Sequence, residues 1–254
     1  MKYELEKYTA LYSDLDWEYN NVMSGPYQNL SFRCDEGTII AGMKDDVISG
    51  AWRPMVCVGS DKFQKLHIER LFDTCRNFYY MDFLIDGKLS VISQFLLRHG
   101  HKARPYYTQI IDLSKPMHEG LRKSYRSLVN KTTGIVPDTI EGYKEVHRFN
   151  KGITRPTRTW EIQKRMAIIC NTRSNAGAMF YYNNFGGYYF SSAGENNHAI
   201  VYSLLRRLQE RGCVYAEMGE QVFSGDPKLV NISKFKRGFG GRTTTRLILE
   251  KDTK

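Results

Sequence analysis

The segment Lys234-Phe-Lys-Arg-Gly-Phe-Gly-Gly241 puts three cations, two aromatic rings and three glycines into eight residues just ahead of a closing apolar run. Cations at a glycine-rich bend suit an anion or a developing negative charge, and equally an ordinary solvated turn. Upstream, "YAEMGEQ" sets Glu217 and Glu220 at and just past the end of an apolar strand, where open α/β sheets hold their ligands and where a carboxylate could take a proton. Tyr215 opens the same strand and is a candidate substrate contact. Arg122, Lys123, Arg126 and Lys131 recur at spacings near three and four and give one helix a cationic side able to clamp phosphate. His147, Lys151, Arg155 and Arg158 crowd "HRFNKGITRPTRTW", read as a proline-containing loop that either lines a site or stays in solvent. Asp112 in "IIDLS" is a second candidate base, or a cap for the next helix. His99 and His101 lack cysteine or carboxylate partners at ligand spacing, so they read as a helix end and no metal is expected.

These residues need elements to hold them. "NLSFRC" and "TIIAGM" around "DEG" read as a hairpin and "PMVCV" as a further strand. Ile68, Leu71, Phe72 and Cys75 give one face of a helix over about 62–77, and "FYYMDFLI" reads as a strand covered on both faces. A helix follows over 88–99, stopped by Gly100. "YYTQIIDLS" is a strand, "MHEGLRKSYRSLVNKTTG" a basic helix and "RTWEIQKRMAIIC" a helix in a loop-rich stretch. "GAMFYY" and "GYYFSSAG" flank the turn "NNFGG". An amphipathic helix over about 198–211 carries Ile200, Val201, Leu204, Leu205 and Leu208 inward, "CVYAEM" is a central strand and "TTTRLILE" the last. The first 25 residues show no clean periodicity and read as a surface-wrapping segment. The two sections share an order of hairpin, glycine-ended helix and apolar strand, so the expected class is α/β with two similar halves.

The 254 residues suffice for a substantial core. A mean hydropathy of −0.49, no run long enough to span a bilayer and no signal-peptide core lead to the expectation of a cytoplasmic protein without an integral membrane segment. Five cysteines without CxxC spacing read as buried, reduced thiols. A formal charge of +10 draws anionic partners, phosphorylated molecules and nucleic acid among them.

Taken in order, "YYTQIIDLS", "LRKSYRSLVNK", "HRFNKGITRPTRTW", "GAMFYYNNFGGYYFSSAG" and "YAEMGE…NISKFKRGFGG" resemble the Fem family of aminoacyl and peptidyl transferases, within the N-acetyltransferase (GNAT-like) superfamily. The resemblance covers about 106–249 well and the first 100 residues in outline. It implies two fused GNAT-like halves, a partial one over 1–105 and a better-defined one over 106–254. It also implies an enzyme that forms an amide on an amine of a sugar nucleotide, lipid-linked sugar or peptide precursor in cell-envelope glycan biosynthesis.

In such a reaction, attack of an amine on an ester or thioester charges the carbonyl oxygen, and a fixed donor there lowers the barrier by roughly 3 to 4 kcal/mol. By the resemblance, Phe235 and Lys236 match the functional Phe-Lys pair, so Lys236 is assigned to that oxygen and Phe235 to the substrate. Arg126, with Arg155 and Arg158, is assigned to phosphates, and Glu217 or Glu220 to the amine. Glu217 and Glu220 depart from the family's aspartate and second glycine, which leaves the acceptor open. No cofactor is expected to be tightly bound; the donor is aminoacyl-tRNA or acyl-CoA. "SSAGENNHA" offers Gly194 but no preceding cation, and Glu195 falls where a pyrophosphate would lie, which argues against coenzyme A binding in the second half and keeps tRNA as a candidate partner. Two alternatives stand: an acyl-CoA-dependent N-acetyltransferase acting on an amino sugar, and a non-catalytic RNA- or anion-binding protein on a transferase fold.

Overall fold

The computed structural model describes residues 3–131, 134–152, 155–172 and 176–251. Its backbone contacts divide it into two units, one of Met1–Tyr8, Tyr12–Tyr106 and Thr245–Lys254, the other of Thr9–Leu11 and Tyr107–Thr244. The expected α/β class is the one observed. Among the described residues no helix is long and apolar enough to cross a membrane.

The first unit opens with helix α1 (Asp14–Ser24), where a wrapping segment was expected. Ser13 caps it by accepting from the amide of Asp16. The helix escapes an apolar-periodicity test because Asp16 and Asn20 are among the residues it buries. Asn20 Nδ2 donates to Asp16, and both Nε and Nη2 of Arg53 reach that carboxylate at 3.1 and 3.2 Å. Strands β1 (Gln28–Asn29), β2 (Phe32–Cys34), β3 (Gly37–Ile40), β4 (Gly42–Lys44), β5 (Val47–Ser49) and β6 (Met55–Gly59) follow. The expected β2–β3 hairpin is present. Next come helix α2 (Asp61–Thr74), strand β7 (Tyr79–Asp82) and helix α3 (Val91–Arg98), with Ser60 and Ser90 capping the two helices. Strand order is β2-β3-β6-β7 and then the chain's last strand, beside a small sheet of order β1-β4-β5. Ile39, Met55, Phe63, Ile68, Phe72 and Ile92 are in its core. Cys34 is exposed, against expectation, while the other four thiols are free and buried.

The second unit takes strand β8 (Lys102–Asp112) from Tyr107 onward. Helices α4 (Met117–Gly120) and α5 (Lys123–Lys131) and strand β9 (Ile135–Pro137) follow; Thr132 and Thr133, expected in the basic helix, lie outside the described residues. The stretch read as a loop, 147–160, begins as the last residues of helix α6 (Ile140–Lys151), which Thr139 caps and which buries Ile140, Tyr143, Val146 and His147, and it ends in the next helix. The loop's Ile153 and Thr154 are also outside the description. Helix α7 (Thr157–Lys164) ends early, and Ala167–Thr172, expected in part to continue it, is strand β10, because "AIIC" packs against the neighbouring strand β11 (Gly177–Tyr182). Strand β12 (Gly186–Ala193), helix α8 (His198–Glu210) and strand β13 (Tyr215–Glu220) match expectation closely. The turn before β12 forms because Asn183 Oδ1 accepts from the amides of Phe185 and Gly186, both at 2.8 Å. Helix α9 (Pro227–Arg237) precedes the last strand, β14 (Arg242–Glu250). Strand order is β8-β13-β12-β11-β10-β9. Helix α8 buries Ile200, Val201, Leu204, Leu205 and Leu208 against that sheet, where Ala178, Phe180, Ala216 and Met218 meet them.

Candidate active site

Strands β12 and β13 are parallel neighbours that pair at Gly186–Tyr215, Gly187–Ala216 and Tyr188–Glu217 and then part. Past that fork a cavity of 840 Å³ opens, walled by Tyr188–Ser192 of β12, by the start of α8 and by one face of α9. The α9 residues on its wall are Lys228, Asn231, Ile232, Phe235 and Lys236, spaced i, i+3, i+4, i+7 and i+8. Helix α9 exists because Asp226 caps it by accepting from the amide of Lys228 and Pro227 opens it with a preset φ. The expected bend at 234–241 is therefore a last helical turn followed by Gly238-Phe-Gly-Gly241.

Lys236 carries the strongest electrostatics here. Its Nζ donates to the carbonyl of Glu220 at 3.3 Å and lies 5.9 Å from the Tyr189 ring centroid. Burial pulls its pKa down to about 8, against an upward pull from Glu220 and Glu217. A lysine in this state can hold a proton near an oxyanion and can also give it up. Phe235 packs against His198 and Phe239 at ring distances of 5.1 and 5.2 Å, which fixes the turn that bears Lys236. Gly240 and Gly241 do not face a ligand: a Cβ on either would collide with the backbone of Gly120 or Ile110, so their role is close chain packing.

Glu217 is fully buried, and Thr108 donates to its Oε1 at 2.9 Å. Glu220 has an exposed side chain, and its recorded bond to Lys236 comes from its backbone. Tyr215 is buried at the other end of β13, its ring lying over Gly186. Arg126 spends its guanidinium on the carbonyls of Leu121 and Glu119, at 3.2 and 2.8 Å. Arg155 lies over the rings of Trp160 and Phe190, at 4.9 and 5.5 Å, and donates to Gln163. Arg158 is exposed. Of the expected site residues, Lys236 and Phe235 line the cavity, and the carbonyl of Glu220 meets Lys236 beside it. Arg155 lies behind the wall, over the ring of Phe190, and Glu217, the Glu220 side chain, Arg126, Arg158 and Tyr215 do not line it. Glu195, expected at a phosphate position, is exposed, and Asn196, Asn197 and His198 line the cavity in its place.

The sequence reading missed Lys228, and it placed Lys151 on a loop. Lys151 Nζ donates to the carbonyl of Ser192 at 2.8 Å, and burial, then Arg155 and Lys228, lower its pKa. A lysine whose proton is loosened by neighbouring cations beside a cavity marks a place suited to negative charge. The pairing "DPKL" was the available signal, since an Asp cap and Pro at the first helical position would have put 228, 232, 235 and 236 on one face.

The fold has known counterparts. The chain is similar to FemX, at 13% identity with a TM-score of 0.65, over 91% of this chain and 90% of that one. It is similar to L-PGS from Bacillus licheniformis (12%, TM-score 0.57, 95% and 93%). A conserved protein of unknown function from Bacteroides thetaiotaomicron is also similar (13%, TM-score 0.60, 96% and 94%). The chain shares the FemX fold. At these identities the likeness speaks for fold alone. No protein-family profile matches the sequence, and no curated protein matches it either.

Proposed function

We propose that this protein is an acyltransferase that moves an aminoacyl or acyl group from a phosphate-bearing carrier to an amine. The observation that carries this reading is Lys236, tuned to a pKa of about 8 at the fork of two parallel strands, in a cavity bordered by Lys151 and Lys228. In the reaction the amine nitrogen attacks the acyl carbon, the carbonyl oxygen takes up negative charge, and the carbon–oxygen or carbon–sulfur bond to the carrier breaks. Lys236 faces that oxygen, and with this pKa it can also protonate the departing hydroxyl or thiol. Glu217, buried behind the fork, acts on Lys236 through its charge, and the surplus proton of the incoming amine leaves to solvent. Lys151 and Lys228 hold the carrier's phosphate. The Fem-like resemblance in 106–249 supports an amine on an envelope precursor as acceptor. Both aminoacyl-tRNA and acyl-CoA carry the phosphate this cavity suits.

The test incubates the full chain with pooled aminoacyl-tRNA in one arm and acyl-CoA in another. Each arm contains an amino-sugar nucleotide, a lipid-linked amino sugar and a lysine-containing peptide, and new amides are read by mass spectrometry. Product in one arm, lost in Lys236→Met, supports the reading and names the donor. Product in neither arm, or equal product from Lys236→Met, overturns it.

A further inference from the structure

The first unit repeats the fork. Strands β6 and β7 run parallel, pair at Met55–Tyr80 and Val56–Met81 and then part, with α2 as their connection. A cavity of 600 Å³ lies at this fork, with Cys57, Gly59, Asp82 and Phe83 on its wall. Its chemistry is the reverse of the fork that holds Lys236. Three aspartates, Asp61, Asp82 and Asp86, line it against one lysine, Lys88, in a chain with a net charge of +10. Asp82 is committed internally, accepting from the amides of Leu84 and Ser90 and from the hydroxyl of Ser93. Asp61 and Asp86 are exposed and hold no ion pair among the described residues.

A separate observation points to a ligand with donors. Gln64, also on the wall, is 7% exposed. Its Nε2 donates to the carbonyl of Gly59 at 2.9 Å, which fixes the amide so that Oε1 is the free end, and Oε1 is buried with no hydrogen-bond partner. A buried acceptor left unpaired is destabilising, so a donor brought by a ligand relieves that penalty. A metal ion fits less well, because no group of three or more His, Cys, Asp or Glu among the described residues could hold one. Phe83, Ile85 and Leu89 supply apolar wall for a hydrocarbon chain.

We propose that this cavity binds a small organic amine in its ammonium form, attracted by Asp61 and Asp86 and hydrogen-bonded by Oε1 of Gln64. The proposal is independent of the transferase reading. Calorimetric titration of the full chain with cadaverine tests it, with the neutral diol of the same chain length and magnesium chloride as controls. Cadaverine should bind, and the diol and magnesium should bind at least about tenfold more weakly. The double variant Asp61→Asn/Asp86→Asn should weaken cadaverine binding at least about tenfold, and Gln64→Leu should weaken it while leaving the far-UV spectrum unchanged. Both aspartates are exposed, so the double variant keeps its fold. Absent binding, binding matched by the diol or by magnesium, or binding unaffected by the double variant overturns the proposal.

Discussion

Lys236 on the last turn of α9 reaches across to the carbonyl of Glu220 at the end of β13, tying a helix to the strand that carries the buried Glu217. The bond keeps an ammonium at the edge of the fork while burial weakens its hold on a proton.

Replacing Lys236 with alanine is expected to lower turnover by about a hundredfold or more, the cost of losing one oxyanion donor. Retention of turnover to within about threefold of the parent would exclude the oxyanion role, as kcat measured with whichever donor arm gives product would show.

Stability should carry the same signature. The folded pKa of Lys236 is about 8 against an ordinary lysine value of 10.5. Between those pH values the unfolded chain holds more protons, so this group makes unfolding harder as pH rises from about 8 toward 10.5. Below about 8 the full cost of a half-buried ammonium is present. Urea midpoints measured across this window should rise relative to those of Lys236→Met.

Lys228 is expected to act through binding. Lys228→Ala should raise KM for the donor with little change in kcat, and the difference should shrink in high salt, since exposed charge is screened. Initial rates at two ionic strengths decide it.

Thr108 donates to a fully buried carboxylate. Thr108→Val should therefore destabilise the protein by about 1–3 kcal/mol, read from denaturant midpoints, by removing a buried donor.

Asp16→Ala should cost more, about 3–5 kcal/mol by the same measurement, because it removes the buried carboxylate that accepts from two atoms of Arg53 and from Asn20. Arg53 closes the turn at Gly50–Arg53, in which Ala51 and Trp52 both have positive φ, 53° and 72°.

Much of the second unit was legible because its burial follows simple periods. Helix α8 shows an apolar face at Ile200, Leu204 and Leu208, and β13 is an uninterrupted run of buried residues before Glu220. Helix α1 was not legible, since what it buries is an Asp16–Asn20–Arg53 network, to which apolar periodicity is blind. Helix α9 was hidden for another reason: of its eleven residues the buried one is Ser233, and the rest of its inward face lines a cavity. At the site, Phe235 and Lys236 stood out by resemblance, while Lys151 and Lys228 depend on two helices whose caps outweighed their composition. Arg126 shows the converse, a cation in a suggestive pattern whose bonds go to carbonyls of its own chain.

Helix α9 also ends where Lys236 stands. The peptide dipoles of a helix leave its C-terminal turn partly negative, which by itself would push away an oxygen gaining charge. Lys234, Lys236 and Arg237 share that turn, and Lys236 is the one on the cavity wall. Lys236 therefore reverses the local field, and in the proposed reaction an uncharged replacement would leave the cleft actively hostile to an oxygen gaining charge.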